Sequence, residues 1–234
     1  MSFDAAVGPG RVTLHQKADW YPLVRRMVRF GFRLEPIVDL ISGMHVGAEV
    51  LRDGVKHPLI AAWRTWYSRV GCLQASMHPN SMLFVNLHTD QVRDRVLIDR
   101  LLASITDPGR LVLEWTELPS SATAMADAAA ILRELRAQYG LLVCVDDLSS
   151  GMDGLQRLQL ARPEIVKIDG PCLHFARSSR RARTLLKNMV HLIQDSGAKA
   201  VIEWIETEDD LAIAMEAGSE WGQGFFWPHT AGDI

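Results

Sequence analysis

Polar side chains recur at one place in a repeating pattern, the point where a short apolar run gives out. Residues 141–145 (LLVCV) run into Asp146 and Asp147. HVGAEVL carries Glu49, MLFVNLH carries Asn86, LVLEWTE carries Glu114 and Glu117, IVKIDG carries Lys167 and Asp169, KAVIEWIE carries Glu203 and Glu206, and GQGFFW carries Gln223. If these runs end at one rim, their carboxylates meet. Neighbouring like charges and desolvation then raise each acid's pKa until cations relieve them. Carboxylate and amide oxygens, with no cysteine among them and only His88 nearby, suit Mg²⁺, Mn²⁺ or Ca²⁺ and argue against zinc or copper. Two adjacent aspartates can serve two ions at once, and ions about 4 Å apart stabilise the attacking and leaving oxygens of phosphodiester hydrolysis. Lys167, one ammonium among acids, would hold the attacking water or a phosphoryl oxygen.

The elements that must position these residues alternate along the chain. Eight apolar runs (LEPIVDL, HVGAEVL, MLFVNLH, LVLEWTE, LVCVDDL, IVKIDG, KAVIEWIE and GQGFFW) read as strands. Most are separated by helical periodicity: Met125, Ala129, Leu132 and Leu135 in 123–139, and Leu185, Met189, Leu192 and Ile193 in 181–196. Eight such units predict an α/β fold, a (β/α)8 barrel of the TIM type, with the strand ends on one catalytic face. The first two runs are joined by a hairpin-type turn at Ser42-Gly43, whereas parallel neighbours need a crossover, so the first strand is expected antiparallel to the second. The barrel is therefore a modified one. Residues 1–31 are expected to form a leader and a covering helix (20–30), and 32–234 a single barrel domain.

Of the 234 residues 48% are hydrophobic and 23% charged, ordinary globular composition. A net charge of -3 gives no footprint for DNA or RNA. No run approaches the roughly 18 apolar residues of a membrane span, and the N-terminus lacks the signal-peptide pattern. Cys72, Cys144 and Cys172 form neither a disulfide framework nor a zinc pattern, so a reducing cytoplasm is expected. Some residues also have structural readings. Asp146-Asp147 could cap a helix, Asp169 reads as a cap or ion-pair partner, and Glu117 and Glu206 could steady loops. Trp20, Trp63, Trp66, Trp115 and Trp221 are expected in the outer layer of the barrel, and Arg177, Arg180, Arg181 and Arg183 at a solvated helix start.

In order, EPIVDLISGMHVGAEVL, FVNLH, EWTE, Asp146-Asp147, Lys167-Ile168-Asp169, IEWIET and Gln223-Gly224 resemble the motifs of the EAL domain, a family of bacterial phosphodiesterases that hydrolyse cyclic di-GMP. The resemblance covers 32–228, with Glu49 in the place of the motif glutamate and Val50 in that of its alanine. It implies a barrel with an antiparallel first strand and two Mg²⁺ or Mn²⁺ ions, Ca²⁺ binding without supporting turnover. The first ion would be held by Glu49, Asn86, Glu114 and Asp146, the second by Asp146, Asp147 and Glu203. Lys167 would position the water, Glu117 would steady a loop, and Glu206 and Gln223 would complete the pocket, the product being linear pGpG.

Several positions depart from the family pattern. Glu35 stands where a guanine-contacting Gln is expected, and Asp53 where an arginine is, with Arg52 one residue early. The loop after Asp147 reads LSSGMDG, Trp204 replaces a Gly between the paired glutamates, and Pro228 comes early. Three readings stay open: a phosphodiesterase, a non-catalytic cyclic di-GMP receptor, and a protein-interaction regulator. A homodimer is also open, because the family's dimer contact uses the altered loop.

Overall fold

The computed structural model describes residues 32–52, 60–116, 120–149 and 153–227. The expected helix at 20–30, Trp20, Asp53, Glu117 and Pro228 lie outside them, as do the side chains of Arg52 and Trp63. Eight strands close into a barrel in sequence order. They are β1 (Phe32–Asp39), β2 (His45–Arg52), β3 (Met82–Leu87), β4 (Leu111–Trp115), β5 (Leu142–Val145), β6 (Ile165–Ile168), β7 (Lys199–Ile202) and β8 (Trp221–Gln223). β1 runs antiparallel to both β2 and β8, and the other neighbours are parallel. The turn forces this arrangement. Asp39 Oδ1 accepts hydrogen bonds from the backbone N–H groups of Ile41 and Ser42, and Gly43 takes the left-handed φ of 71° that reverses the chain.

The helices between the strands are α1 (Ile60–Gln74), α2 (Thr89–Arg93), α3 (Arg95–Ser104), α4 (Ala122–Tyr139), α5 (Gly154–Ala161), α6 (Gly170–Ser178), α7 (Arg180–Asp195) and α8 (Glu208–Ala217). Ser121 Oγ accepts from Ala124 N to start α4, and Met125, Ala129, Leu132 and Leu135 are buried as expected. α7 differs from the sequence expectation. Ile193 is buried and Met189 packs against the core as expected, but Leu185 and Leu192 are exposed, and Leu186 and Val190 are buried in their stead. Two apolar stripes one residue apart both satisfy helical spacing, and only contact with the barrel selects between them.

Inside the barrel each strand follows one rule: the interior position nearest the mouth is polar, and the one two residues deeper is small or apolar. The deeper layer is Ile37, Phe84, Val112, Cys144, Ile165, Val201 and Trp221, with Gly47 as the contribution of β2. Trp221 thus plugs the interior rather than the outer layer expected for it, with the Lys199 ammonium 5.3 Å from its ring centroid. Trp66 and Trp115 pack in the larger cluster between barrel and helices. A Cβ on Gly47 would lie 2.5 Å from the Met82 carbonyl oxygen and 2.9 Å from the Phe84 ring. Gly47→Ala is therefore expected to cost about 1–3 kcal/mol through overpacking, read as a lower denaturant midpoint. An unchanged midpoint would mean that Phe84 and the β2–β3 register yield freely.

Two strands end earlier than the sequence suggests. β7 stops at Ile202, and Trp204 just beyond it has a left-handed φ of 58°. β8 stops at Gln223, so Phe225-Phe226-Trp227 is not strand. Gly224, at φ 147°, turns the chain where a Cβ would meet the Ile205 backbone at 2.4 Å, and Phe226 N then donates to Ile205 O.

Candidate metal centre

The polar layer at the mouth is organised around Lys167. Its Nζ, wholly buried, lies 3.0 Å from Glu49 Oε2, 3.2 Å from Glu114 Oε2, 3.5 Å from Asp146 Oδ1 and 2.7 Å from Glu203 Oε1. Gln223 Nε2 donates to Glu49 Oε2 at 2.6 Å, Asn86 Nδ2 donates to Glu49 Oε1, and the Tyr67 hydroxyl donates to the Asn86 carbonyl. Five strands thus deliver Glu49, Glu114, Asp146, Lys167 and Glu203 to one ammonium-centred cage: Glu114, Asp146, Lys167 and Glu203 sit near or just past the C-terminal ends of their strands, and Glu49 sits three residues before the end of the longer β2. One positive charge faces four carboxylates.

The electrostatics divide the acids. Burial pushes the Glu49 carboxyl up, but the Lys167 ammonium and the Gln223 and Asn86 amides outweigh it and hold it below the usual range. Burial, reinforced by the charge of Glu49, drives Glu114 well above that range. Asp146 is raised by burial against the pull of Lys167. Asp147 is pushed to about 6 by burial and the neighbouring charges of Asp146 and Asp169. Burial carries Glu203 to about 8 despite Lys167. For Lys167 itself burial works against the charge, but Asp146, Glu114, Glu203 and Glu49 prevail and keep it protonated.

Asp146, Asp147 and Glu203 each offer an oxygen, all within 4.8 Å of one another, a spacing that could hold a metal ion. Asn86 Oδ1, Glu114 Oε1, Asp146 Oδ1 and Gln223 Oε1 are buried without a hydrogen-bond partner. Buried polar atoms are rarely left so. Acceptor oxygens facing a net negative cage match a hard divalent cation in donor type and in charge, so the residues present fit the ions expected from the sequence.

The remaining candidates fall differently. Glu35 lies level with Glu49 across β1 and β2, and burial together with the charge of Glu49 raises its carboxyl. Glu206 is exposed and turned away from the cage, with Oε2 3.5 Å from Arg177 Nη2. Arg177 is exposed, as expected, and its guanidinium also clamps Asp210 from α6 to α8 at 2.7 Å. Asp169 stands at the N-cap position of α6 without a side-chain cap bond, and its carboxylate instead accepts from Ser149 N at 3.1 Å and from Ser149 Oγ, which ties down the loop after β5. Trp204 is half exposed, its indole packed on Gly170 and edge-on to His174 at 5.4 Å. Sequence reasoning missed two residues. Tyr67 carries the Asn86 backbone, and Arg157 lies buried under Asp146 and Asp147, its Nη1 donating to the carbonyls of Trp115 and Asp146. Neither has a signal in the sequence, since both sit in ordinary helical runs.

A pH dependence follows for the metal-free protein. A carboxyl raised on folding binds more protons folded than unfolded, so its stabilisation is full below the unfolded pKa and is lost as pH rises through the folded one. For Asp147 that window runs from 3.8 to about 6, and for Glu203 from 4.5 to about 8. Lys167 stays charged throughout, and Glu49, depressed, acts only below its usual range. His45 and His88, held below their usual range by burial, oppose this below 6.5, so in chelator the melting temperature is expected to fall between pH 6.5 and 8.5, with saturating Mn²⁺ removing the slope. A rise over that interval without metal would contradict the assigned protonation.

The barrel, its reversed first strand and the acidic mouth define an EAL-type fold. The EAL domain model matches residues 64–229, and the chain belongs to this family. The match leaves out β1 and β2, which carry Glu35 and Glu49. Among curated relatives, the chain is 27% identical over 135 residues to cyclic di-GMP phosphodiesterase PdeA of Borreliella burgdorferi, covering 56% of this chain and 19% of that protein. It is 26% identical over 152 residues to cyclic di-GMP phosphodiesterase RocR of Pseudomonas aeruginosa, covering 62% and 38%. The aligned stretches thus span well under half the length of these relatives. A standalone EAL protein from Vibrio cholerae O395, solved in a form bound to c-di-GMP, superposes with a TM-score of 0.72 at 19% identity, covering 84% of this chain and 90% of that one. BlrP1 of Klebsiella pneumoniae, solved with manganese and cyclic di-GMP, gives 0.70 at 20% identity, covering 84% and 55%. These likenesses establish the fold.

Proposed function

We propose that this barrel, residues 32–234, hydrolyses cyclic di-GMP to linear pGpG with two divalent cations, Mg²⁺ or Mn²⁺. The observation that carries the reading is the cage in which one buried ammonium is shared by Glu49, Glu114, Asp146 and Glu203 while acceptor oxygens beside it lack partners. Such a cage is costly for a merely structural core, because desolvated like charges repel. Glu49, Asn86, Glu114 and Asp146 would hold one ion, and Asp146, Asp147 and Glu203 the other. The ions would supply charge neutralisation at the scissile phosphate and a more acidic water.

The protein's own groups have separable tasks. Lys167 Nζ orients the attacking water by donating to it, and Glu203 Oε1, 2.7 Å from that ammonium, accepts its proton. Water oxygen bonds to phosphorus, the bond from phosphorus to the 3′ oxygen breaks, and that oxygen gains a proton. Gln223 fixes Glu49 and, with Glu35 and Arg52, would meet the nucleotide. Glu206, placed on Arg177, serves the rim, and Glu117 the loop. Relatives named as cyclic di-GMP phosphodiesterases support the substrate. The three free cysteines, with Cys144 inside the barrel, suit the cytoplasm, and among the described residues no helix is long and apolar enough to cross a membrane.

Glu35 favours a second reading, a receptor, because a carboxyl stands level with Glu49 at the position where the family resemblance expects an amide to read a base edge. Isothermal titration of the protein with cyclic di-GMP in Ca²⁺, followed by addition of Mn²⁺ and chromatography, separates the two. Binding followed by pGpG supports the phosphodiesterase, and binding with the cyclic nucleotide recovered intact supports the receptor. Absence of binding would refute both.

A further inference from the structure

We propose that Arg157 is a positioning residue that holds the Asp146-Asp147 turn in the shape required to bind the second ion. The inference rests on the two-ion reading of the site. Arg157 lies on α5, is 1% exposed, and spreads its guanidinium beneath the end of β5. Nη1 donates to Trp115 O at 2.5 Å and to Asp146 O at 2.8 Å, Nη2 reaches Asp147 O at 3.4 Å, and Nε donates to Asp153 Oδ1 at 3.1 Å. One side chain therefore ties the ends of β4 and β5 to the start of α5.

What it holds is a conformation that L-residues seldom adopt. Asp147 has a φ of 50°, in the left-handed region. This turn directs the carbonyls of Asp146 and Asp147 toward the same guanidinium, while their side chains converge with Glu203 within 4.8 Å. Two carboxylates brought that close repel in the absence of a cation, and such a conformation persists only where surrounding contacts over-determine it. The planar fork of Arg157 supplies those contacts from the side away from the ion. An ammonium cannot do the same, since it offers a point charge and not a fork. Asp153 fixes the fork from the other end.

Mn²⁺ titrated calorimetrically into chelator-stripped wild type, Arg157→Lys and Asp153→Asn, with a thermal melt of each, tests the inference. Wild type is expected to bind two ions. Arg157→Lys should keep the first near wild-type affinity and bind the second about 10- to 100-fold more weakly, the usual effect of losing a group that orients ligands. Asp153→Asn should weaken the second ion alone and by less. Turnover of Arg157→Lys should approach wild type as Mn²⁺ is raised, because the ligands themselves are intact. A lower melting temperature in Arg157→Lys with both ions bound as in wild type would overturn the inference, leaving Arg157 a purely structural donor. Should Arg157→Lys fail to fold, Asp153→Asn decides: a selective loss at the second ion supports the role, and unchanged binding overturns it. Fewer than two ions in wild type would overturn the two-ion reading and this inference together, whereas two ions in every protein would overturn this inference alone.

Discussion

Lys167→Met is expected to be the most damaging substitution in the molecule when metal is withheld. The side chain is buried, and its ammonium is the shared partner of Glu49, Glu114, Asp146 and Glu203. Removing one partner of a buried ion network while the others stay typically costs about 3–5 kcal/mol. Glu114 and Glu203, already raised by burial, can respond by taking protons, but Glu49 is held ionised by the charge being removed. The variant should therefore melt far below wild type in chelator and recover much of the difference in saturating Mn²⁺, as cations take over the neutralisation. With the water-positioning role proposed for Lys167, phosphodiesterase turnover should stay at least about 100-fold down even then, since such a group contributes on that order. Calorimetric melts with and without Mn²⁺, alongside a product assay, check both halves. A chelated melt within a degree or two of wild type would show that the acids hold each other in place by sharing protons and that Lys167 is not their hub.

Asp146→Asn should separate binding from stability. Asp146 Oδ1 is buried without a hydrogen bond, with the Lys167 ammonium 3.5 Å away, and the carboxylate belongs to the group it forms with Asp147 and Glu203. Its carboxyl is raised, so the charged form is disfavoured where it sits. Because Asp146 is assigned to both ions, replacing it with a neutral isostere should abolish measurable Ca²⁺ and Mn²⁺ binding and leave the metal-free melting temperature equal or higher. Arg157 bonds to the backbone carbonyl of Asp146, so that contact survives. Glu49→Gln should also lose metal but should not share the stability outcome. Glu49 is stabilised as an anion by Lys167, Gln223 and Asn86, and a neutral amide forfeits charge-assisted bonds worth about 1.5–3 kcal/mol each. From sequence the two acids look alike. Equal melting temperatures for the two variants would mean that the cage does not distinguish them.

Much of the site was legible because a barrel strand has a period of two and one catalytic face. An apolar residue followed two positions on by a polar one, as in Phe84 and Asn86, Val112 and Glu114, or Val201 and Glu203, specifies an interior pair whose outer member is at the mouth. The Ser42-Gly43 turn was enough to predict the reversed first strand. The failures have a common cause, since each depended on which of two allowed faces a neighbour would meet. Leu185 and Leu186 both begin helical stripes, and contact with the barrel chose the second. Trp221 stands two residues before Gln223 and obeys the same period-two rule, which puts it inside the barrel although its size suggested the outer layer. Glu206 follows Glu203 by three residues, but the left-handed Trp204 turns the chain so that Glu206 meets Arg177. Arg157, inside LQRLQ, has the spacing of a surface helix residue, and nothing local marks it as buried beneath two strand ends.

The most direct test of the reaction is to run it in water enriched in ¹⁸O. Wild-type protein is incubated with cyclic di-GMP and Mn²⁺, and the nucleotide is examined by chromatography and mass spectrometry. The account predicts linear pGpG carrying one ¹⁸O in its new terminal phosphate, in molar excess over protein, with none formed in chelator. Cyclic di-GMP recovered intact and unlabelled, from protein shown to bind both it and Mn²⁺, would contradict hydrolysis at this mouth.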